Sequence, residues 1–162
     1  MQVGHSLGGA LAELDSLYMT MNLPSSVHVK GVTYGTPRVG NPAYATYFDS
    51  IVRAPPPYPL FPLVFPRAPL TLLRTQVPDF ERINHASDPI PIVPGRFLGF
   101  SHVHGEVHIV SGAPDVAYAC PGDDDASDAQ CTISSVPNVF ESNIIDHLGP
   151  YDGIYIGTVF CT

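Results

Sequence analysis

Apolar side chains at Leu7, Ala10, Leu11, Leu14, Leu17, Tyr18 and Met21 recur at i, i+3 and i+4, the period of one helical face. The spacing predicts a helix from residue 7 to about residue 21, and Pro24 ends it. Beyond Pro24 the runs shorten. Residues 27–35 are β-rich and read as a strand, and Gly and Pro then punctuate a loop over residues 33–41. Residues 42–51 read as a second helix. Residues 80–85 read as a strand that ends in Ala86-Ser87-Asp88-Pro89, and residues 105–110 as a further, shorter strand. Strand, helix and strand in alternation predict an α/β fold with a parallel sheet and crossover connections. No internal repeat is visible.

The first of these helices is preceded by Gly4-His5-Ser6-Leu7-Gly8-Gly9, a G-x-S-x-G nucleophile elbow. A serine on a sharp strand-to-helix turn presents its hydroxyl to an ester or amide carbonyl. Small neighbours at Gly4 and Gly8 are expected to let strand and helix approach closely. The Leu7 N–H, at the helix N-terminus, is aimed at a developing oxyanion. A bare match of this kind arises by chance, and the helical run behind it is what gives it weight. Only Met1-Gln2-Val3 stand before the elbow, where a buried strand is required.

Composition narrows the class. The 162 residues amount to one domain, and 44% hydrophobic with 14% charged residues fits a globular chain with a core. A net charge of −8, with no basic stripe, argues against nucleic acid as a partner. No apolar run reaches the ~20 residues of a membrane span, and no signal-peptide pattern is visible. Cys120 and Cys131 bracket an acidic loop that cannot bury a core. A disulfide is a sensible clamp for it, and two free thiols of a cytosolic protein are the alternative. The Asp123, Asp124, Asp125 and Asp128 cluster lacks the calcium-loop spacing and is read as solvated. Cys161 is left over, as though its partner belonged to another part of a longer chain.

A serine nucleophile needs a base and an acid to orient it, in the chain order Ser, Asp/Glu, His. Asp88 emerges at the end of a candidate strand, held extended by Pro89. His147 follows late, in a loop rich in turn residues, so the order is met. Six other histidines compete: His5, His28, His85, His102, His104 and His108. A single histidine on a strand is more often a satisfied structural residue.

Four ordered blocks, G-H-S-L-G-G-A, T-Y-G-T-P-R-V-G-N, N-H-A-S-D-P-I-P-I-V-P and D-H-L-G-P-Y, resemble the class 3 family of fungal lipases, above all its secreted basidiomycete members. The resemblance covers residues 1–52 and 77–162. It implies a three-layer α/β-hydrolase variant with a mixed, mostly parallel central sheet. It implies Ser6 as nucleophile, Asp88 as the residue orienting the base, and His147 as base and then acid. His5 and Leu7 flank the nucleophile, and Leu7 gives one oxyanion N–H. The substrate implied is a triacylglycerol at a lipid–water interface, with feruloyl-type or other carboxylic esters as the alternative. No metal or organic cofactor enters that mechanism. Complete members carry further strands, a helical lid and the second oxyanion donor before the elbow. The chain is therefore expected to be the C-terminal portion of a secreted enzyme, with a truncated, non-catalytic fragment as the competing reading. Cys161 matches a terminal cysteine that bonds, in related lipases, to one near the N-terminus.

Residues 53–76 break the family pattern. They hold seven prolines and no acidic residue, which forbids helix and central strand. Their pyrimidine-rich codons, a splice-donor GT available from Val52 and an acceptor CAG from Gln76 fit a translated intron. A Pro-rich surface loop near a substrate entrance is the alternative, and a polyproline II ligand a weaker one.

Overall fold

Strand β1 (Gln2–His5) feeds helix α1 (Leu7–Asn22) through the single residue Ser6. The computed structural model describes residues 1–52, 79–110, 116–120, 124 and 128–156. The Pro-rich segment 53–76, Cys161, Asp123 and Asp125 lie outside the described residues. After α1 come β2 (Gly31–Tyr34), α2 (Pro42–Val52), β3 (Phe80–His85), β4 (Glu106–Val110), β5 (Val116–Ala119) and a one-turn helix α3 (Thr132–Ser135). The strands stand side by side in chain order, β1-β2-β3-β4-β5. The first four are parallel and β5 closes antiparallel on β4. The mostly parallel sheet expected from the alternating pattern is therefore present. The antiparallel β5 has no strong alternation and was not anticipated.

Gly31 explains how closely α1 lies on the sheet. A Cβ there would fall 2.3 Å from the Phe80 ring and 2.8 Å from Ser16 Oγ. On that same face Ala45, Phe48, Val52, Phe80 and Val103 form the core, with Leu17 and Tyr44 against it. Phe48 and Phe80 meet edge to face with centroids 4.9 Å apart. Each such ring contributes about 2–3 kcal/mol by leaving water.

The helix is where the periodicity put it, but its packed face is not the apolar stripe. Gly9, Ala10, Ala12, Glu13 and Ser16 are the buried positions of α1. Leu7, Leu11, Leu14, Tyr18 and Met21 are exposed among the described residues. Small residues let the helix backbone approach the strands, and that geometry, not side-chain hydropathy, selects the inner face. The strand predicted over 27–35 shrinks to β2. Residues 24–27 form a turn closed by the Val27 N–H on the Pro24 carbonyl.

Cys120 and Cys131 are bonded, which resolves the two readings of that pair in favour of the clamp. The acidic loop between them is not simply solvated. Asp124 is buried and paired with Arg38, because two charge-assisted bonds and a backbone N–H replace the water it loses.

Candidate active site

Ser6 occupies a backbone conformation few residues tolerate, with φ 58° and ψ −129°. The neighbours over-determine it. Its N–H donates to the Tyr34 carbonyl at the end of β2, and its carbonyl accepts from Gly9 and Ala10 in the first turn of α1. The turn needs close backbone contact: a Cβ on Gly4 would sit 2.1 Å from the Gly8 carbonyl oxygen, and one on Gly9 would sit 2.3 Å from Thr36 Oγ1. The size requirement expected at Gly8 falls instead on Gly9. Nothing described lies within 4 Å of a Cβ built on Gly8, whose backbone, not side chain, faces Gly4. Leu7 is the first residue of the helix, where an N–H has no intrahelical carbonyl to bond.

Asp88 follows β3 on a tight turn. Ala86 takes φ 44°, and the Asp88 N–H closes the turn on the His85 carbonyl at 3.0 Å. The side chain is fully buried. Its Oδ1 accepts from the Ile90 N–H at 2.8 Å, and its Oδ2 accepts from His147 Nδ1 at 2.8 Å. His147 lies in a 3-10 turn, Ile144–Leu148, also buried. Asp146 joins the two turns: its Oδ2 accepts from the Ser87 N–H at 3.0 Å, and its carbonyl from His85 Nδ1 at 3.1 Å. The Asn143 N–H donates to the Ser87 carbonyl at 2.8 Å.

Gly35 links this pair to the elbow. It follows Tyr34, the acceptor for Ser6, and has φ 53°. A Cβ on it would fall 2.6 Å from Asp88 Oδ2 and 2.8 Å from His147 Nδ1. His5, adjacent to the serine, stacks on the His147 ring and donates from Nε2 to the His147 carbonyl at 2.7 Å. Burial, and next to it the neighbouring His147, hold the His5 imidazole below its usual range against the pull of that carbonyl. Tyr151 lies beside the pair, its hydroxyl donating to the His147 carbonyl at 3.3 Å. Burial first, and then the Asp88 carboxylate, push its phenol pKa up. Ser6 Oγ has no hydrogen-bond partner among the described residues.

The other histidines are structural in their contacts. His102 Nε2 donates to the Pro91 carbonyl, His104 pairs with Asp49, His28 with Asp79, and His108 lies between the Ala86 and Gln130 carbonyls. Among the described residues, Glu106 with Cys120 and Cys131 is the grouping with metal-ligand atoms, and its two sulfurs are engaged in the disulfide. Gly35, Asp146 and Tyr151 were not singled out as site residues from sequence. All three lie within the quoted motif blocks, but only the fold brings them to the pair.

A parallel sheet, a strained serine between strand and helix, and a buried Asp–His pair after later strands define an α/β-hydrolase. The class 3 lipase family model matches residues 1–98. The chain is 33% identical over 161 residues to a lipase of Rhizomucor miehei, covering 98% of this chain and 35% of that one. It is 32% identical over 127 residues to a secreted mono- and diacylglycerol lipase of Gibberella zeae, covering 76% and 27%. The structure of the Rhizomucor miehei lipase in its propeptide complex superposes with a TM-score of 0.70 at 32% identity, covering 99% of this chain and 42% of that one. The chain belongs to the class 3 lipase family. It spans about a third of the length of the curated relatives it matches.

Proposed function

We propose that this protein hydrolyses carboxylic esters of glycerol, with triacylglycerols as substrates, through an acyl-enzyme on Ser6. The observation that carries the reading is the 2.8 Å bond from His147 Nδ1 to the buried Asp88, set against a serine at φ 58°. His147 Nε2 takes the Ser6 Oγ proton as the oxygen attacks the ester carbonyl. Asp88 holds the ring in the tautomer that leaves Nε2 free to accept and stabilises the imidazolium that follows. The oxyanion lies at the head of α1 against the Leu7 N–H. The C–O bond breaks, the glycerol oxygen leaves with the proton from His147, and a water then repeats the sequence on the acyl-enzyme. The Ser6 Oγ–His147 Nε2 hydrogen bond is expected to form with substrate in place, since catalytic hydrogen bonds are often long or misaligned in the free enzyme.

Lipid as substrate is supported by the family and by the names of both relatives. Export to the extracellular space is supported by the Cys120–Cys131 bond and by the Gibberella zeae relative being named as secreted. No described helix is long and apolar enough to cross a membrane. The test is hydrolysis of p-nitrophenyl esters of rising acyl length, then of triacylglycerol emulsions, beside fluorophosphonate labelling. Labelling at Ser6, and hydrolysis abolished in Ser6→Ala, is the expected result. Equal hydrolysis in the protein and in Ser6→Ala rejects the reading. Absence of both hydrolysis and labelling rejects it in favour of a non-catalytic fragment.

A further inference from the structure

Beyond Asp88 the chain runs through four consecutive carbonyls, and each accepts a hydrogen bond from the same small group of side chains and backbone. The Pro91 carbonyl accepts from His102 Nε2 at 2.7 Å. The Ile92 carbonyl accepts from an Arg38 guanidinium nitrogen, which also donates to the Pro94 carbonyl at 2.9 Å. The Val93 carbonyl accepts from the Arg38 backbone N–H at 2.9 Å. Arg38 and His102 are in turn held by one carboxylate. Asp124 Oδ2 accepts from Arg38 Nε at 2.7 Å and from the His102 N–H at 3.0 Å, and Oδ1 accepts from Arg38 at 2.9 Å. The Arg96 guanidinium donates to the Asp124 backbone carbonyl at 3.2 Å. All three side chains of the cradle are buried.

We infer that Asp124, through Arg38 and His102, is a positioning residue that aims Asp88 at His147. The inference rests on the proposed Ser6–His147–Asp88 chemistry and adds to it a device from the loop closed by Cys120 and Cys131. The Asp88 carboxylate stands between the turn after β3 and the three-residue 3-10 turn Ile90–Ile92, an element too short to fix its direction without outside bonds. Arg38 is suited to this because a planar guanidinium donates along several edges at once, here to a carboxylate on one side and carbonyls on the other. Asp124 fixes that plane by a two-pronged bond. Burial alone would raise its pKa, but the Arg38 bonds and the neighbouring charges hold the carboxyl below its usual range, so it stays charged. His102, buried beside Arg82, is held well below its usual pKa. It therefore sits between Asp124 and the loop as a neutral ring, donating through Nε2.

A plain core ion pair would alter stability when cut. A positioning device alters turnover and the Asp88–His147 bond in molecules that remain folded. The experiment compares Asp124→Asn and Arg38→Lys with the unmodified protein by kcat, KM, the rate of fluorophosphonate labelling and proton NMR. Asp124→Asn keeps the shape and loses the charge; Arg38→Lys keeps the charge and cannot span two carbonyls. We expect kcat and the labelling rate to fall by about 10²-fold with KM within about twofold, the cost of an ångström-scale misplacement. We also expect the far-downfield His147 Nδ1–H signal, assigned by its absence in His147→Asn, to broaden or vanish while circular dichroism is unchanged. Turnover, labelling and that signal at unmodified levels in both folded variants overturn the inference. So does unfolding of both variants, which would make the cluster a stabilising ion pair only. If the unmodified protein neither labels nor hydrolyses, the function reading fails by itself, and the NMR signal still decides the positioning role.

Discussion

The imidazole of His5 lies on the imidazole of His147, with centroids 4.4 Å apart, and its Nε2 donates to the His147 backbone carbonyl at 2.7 Å. One residue before the elbow serine thus grips the turn that carries the proposed base. His5→Ala removes the covering ring and the bond, at about 1 kcal/mol for the bond alone. We expect kcat on a soluble ester to fall about tenfold with KM little changed, since that energy approaches the 1.4 kcal/mol of one decade. Steady-state kinetics of the purified variant check it, and an unchanged kcat would remove His5 from the site.

Gly35 is the tightest constraint on the pair. A methyl group there has no room between Asp88 and His147, and φ 53° is itself unfavourable for any side chain. Gly35→Ala is expected to lose about 1–2 kcal/mol of stability from the backbone alone. Labelling of Ser6 should fall further than that loss explains, because the added carbon parts the two side chains. Urea melts and labelling rates on the same sample separate the two effects, and wild-type labelling in the variant would refute the account.

Glu13 carries a pH dependence of a definite sign. It is buried on α1 and faces Arg82, Tyr44 and Asp49; burial, only partly offset by the Arg82 charge and the Tyr44 hydroxyl, pushes its pKa from 4.5 up to about 7. A raised carboxyl pKa means that the fold holds the proton more tightly than the open chain. Its contribution is complete below 4.5, fades as the pH rises, and is gone above about 7. Glu13→Gln has no such slope. Relative to Glu13→Gln, the unmodified protein should lose about 3 kcal/mol of unfolding free energy between about pH 4 and about pH 8. Denaturant melts at those two values test it; an equal difference at both ends contradicts it.

Local pattern carried much of the architecture. The i, i+3, i+4 recurrence located α1, the six β-rich residues before Ala86 located β3, and the elbow motif with the family resemblance pointed to Ser6, Asp88 and His147. Asp88 and His147 are hydrogen-bonded to each other, and Ser6 Oγ has no hydrogen-bond partner among the described residues. Local pattern did not carry the choice of face. Leu7, Leu11 and Leu14 of α1 are exposed because Gly9, Ala12 and Ser16 allow the closer approach, a comparison that needs the sheet in place. Nor did it carry Asp124. A run of acidic residues is solvated on average, and only the fold reveals that one member meets Arg38, 86 residues away. Asp146 was hidden for the same reason, since its bonds to Ser87 and His85 cross between two turns remote in sequence.

The bond between His5 and His147 joins positions 142 apart, and the one between His147 and Asp88 joins positions 59 apart. Closures of that span lose more chain entropy than any helix turn and come late in folding. Ser6 reactivity is therefore a gauge of topology as much as of chemistry. A refolding sample regains its α1 signal first and its labelling last, and the lag between the two measures the time its ends take to meet.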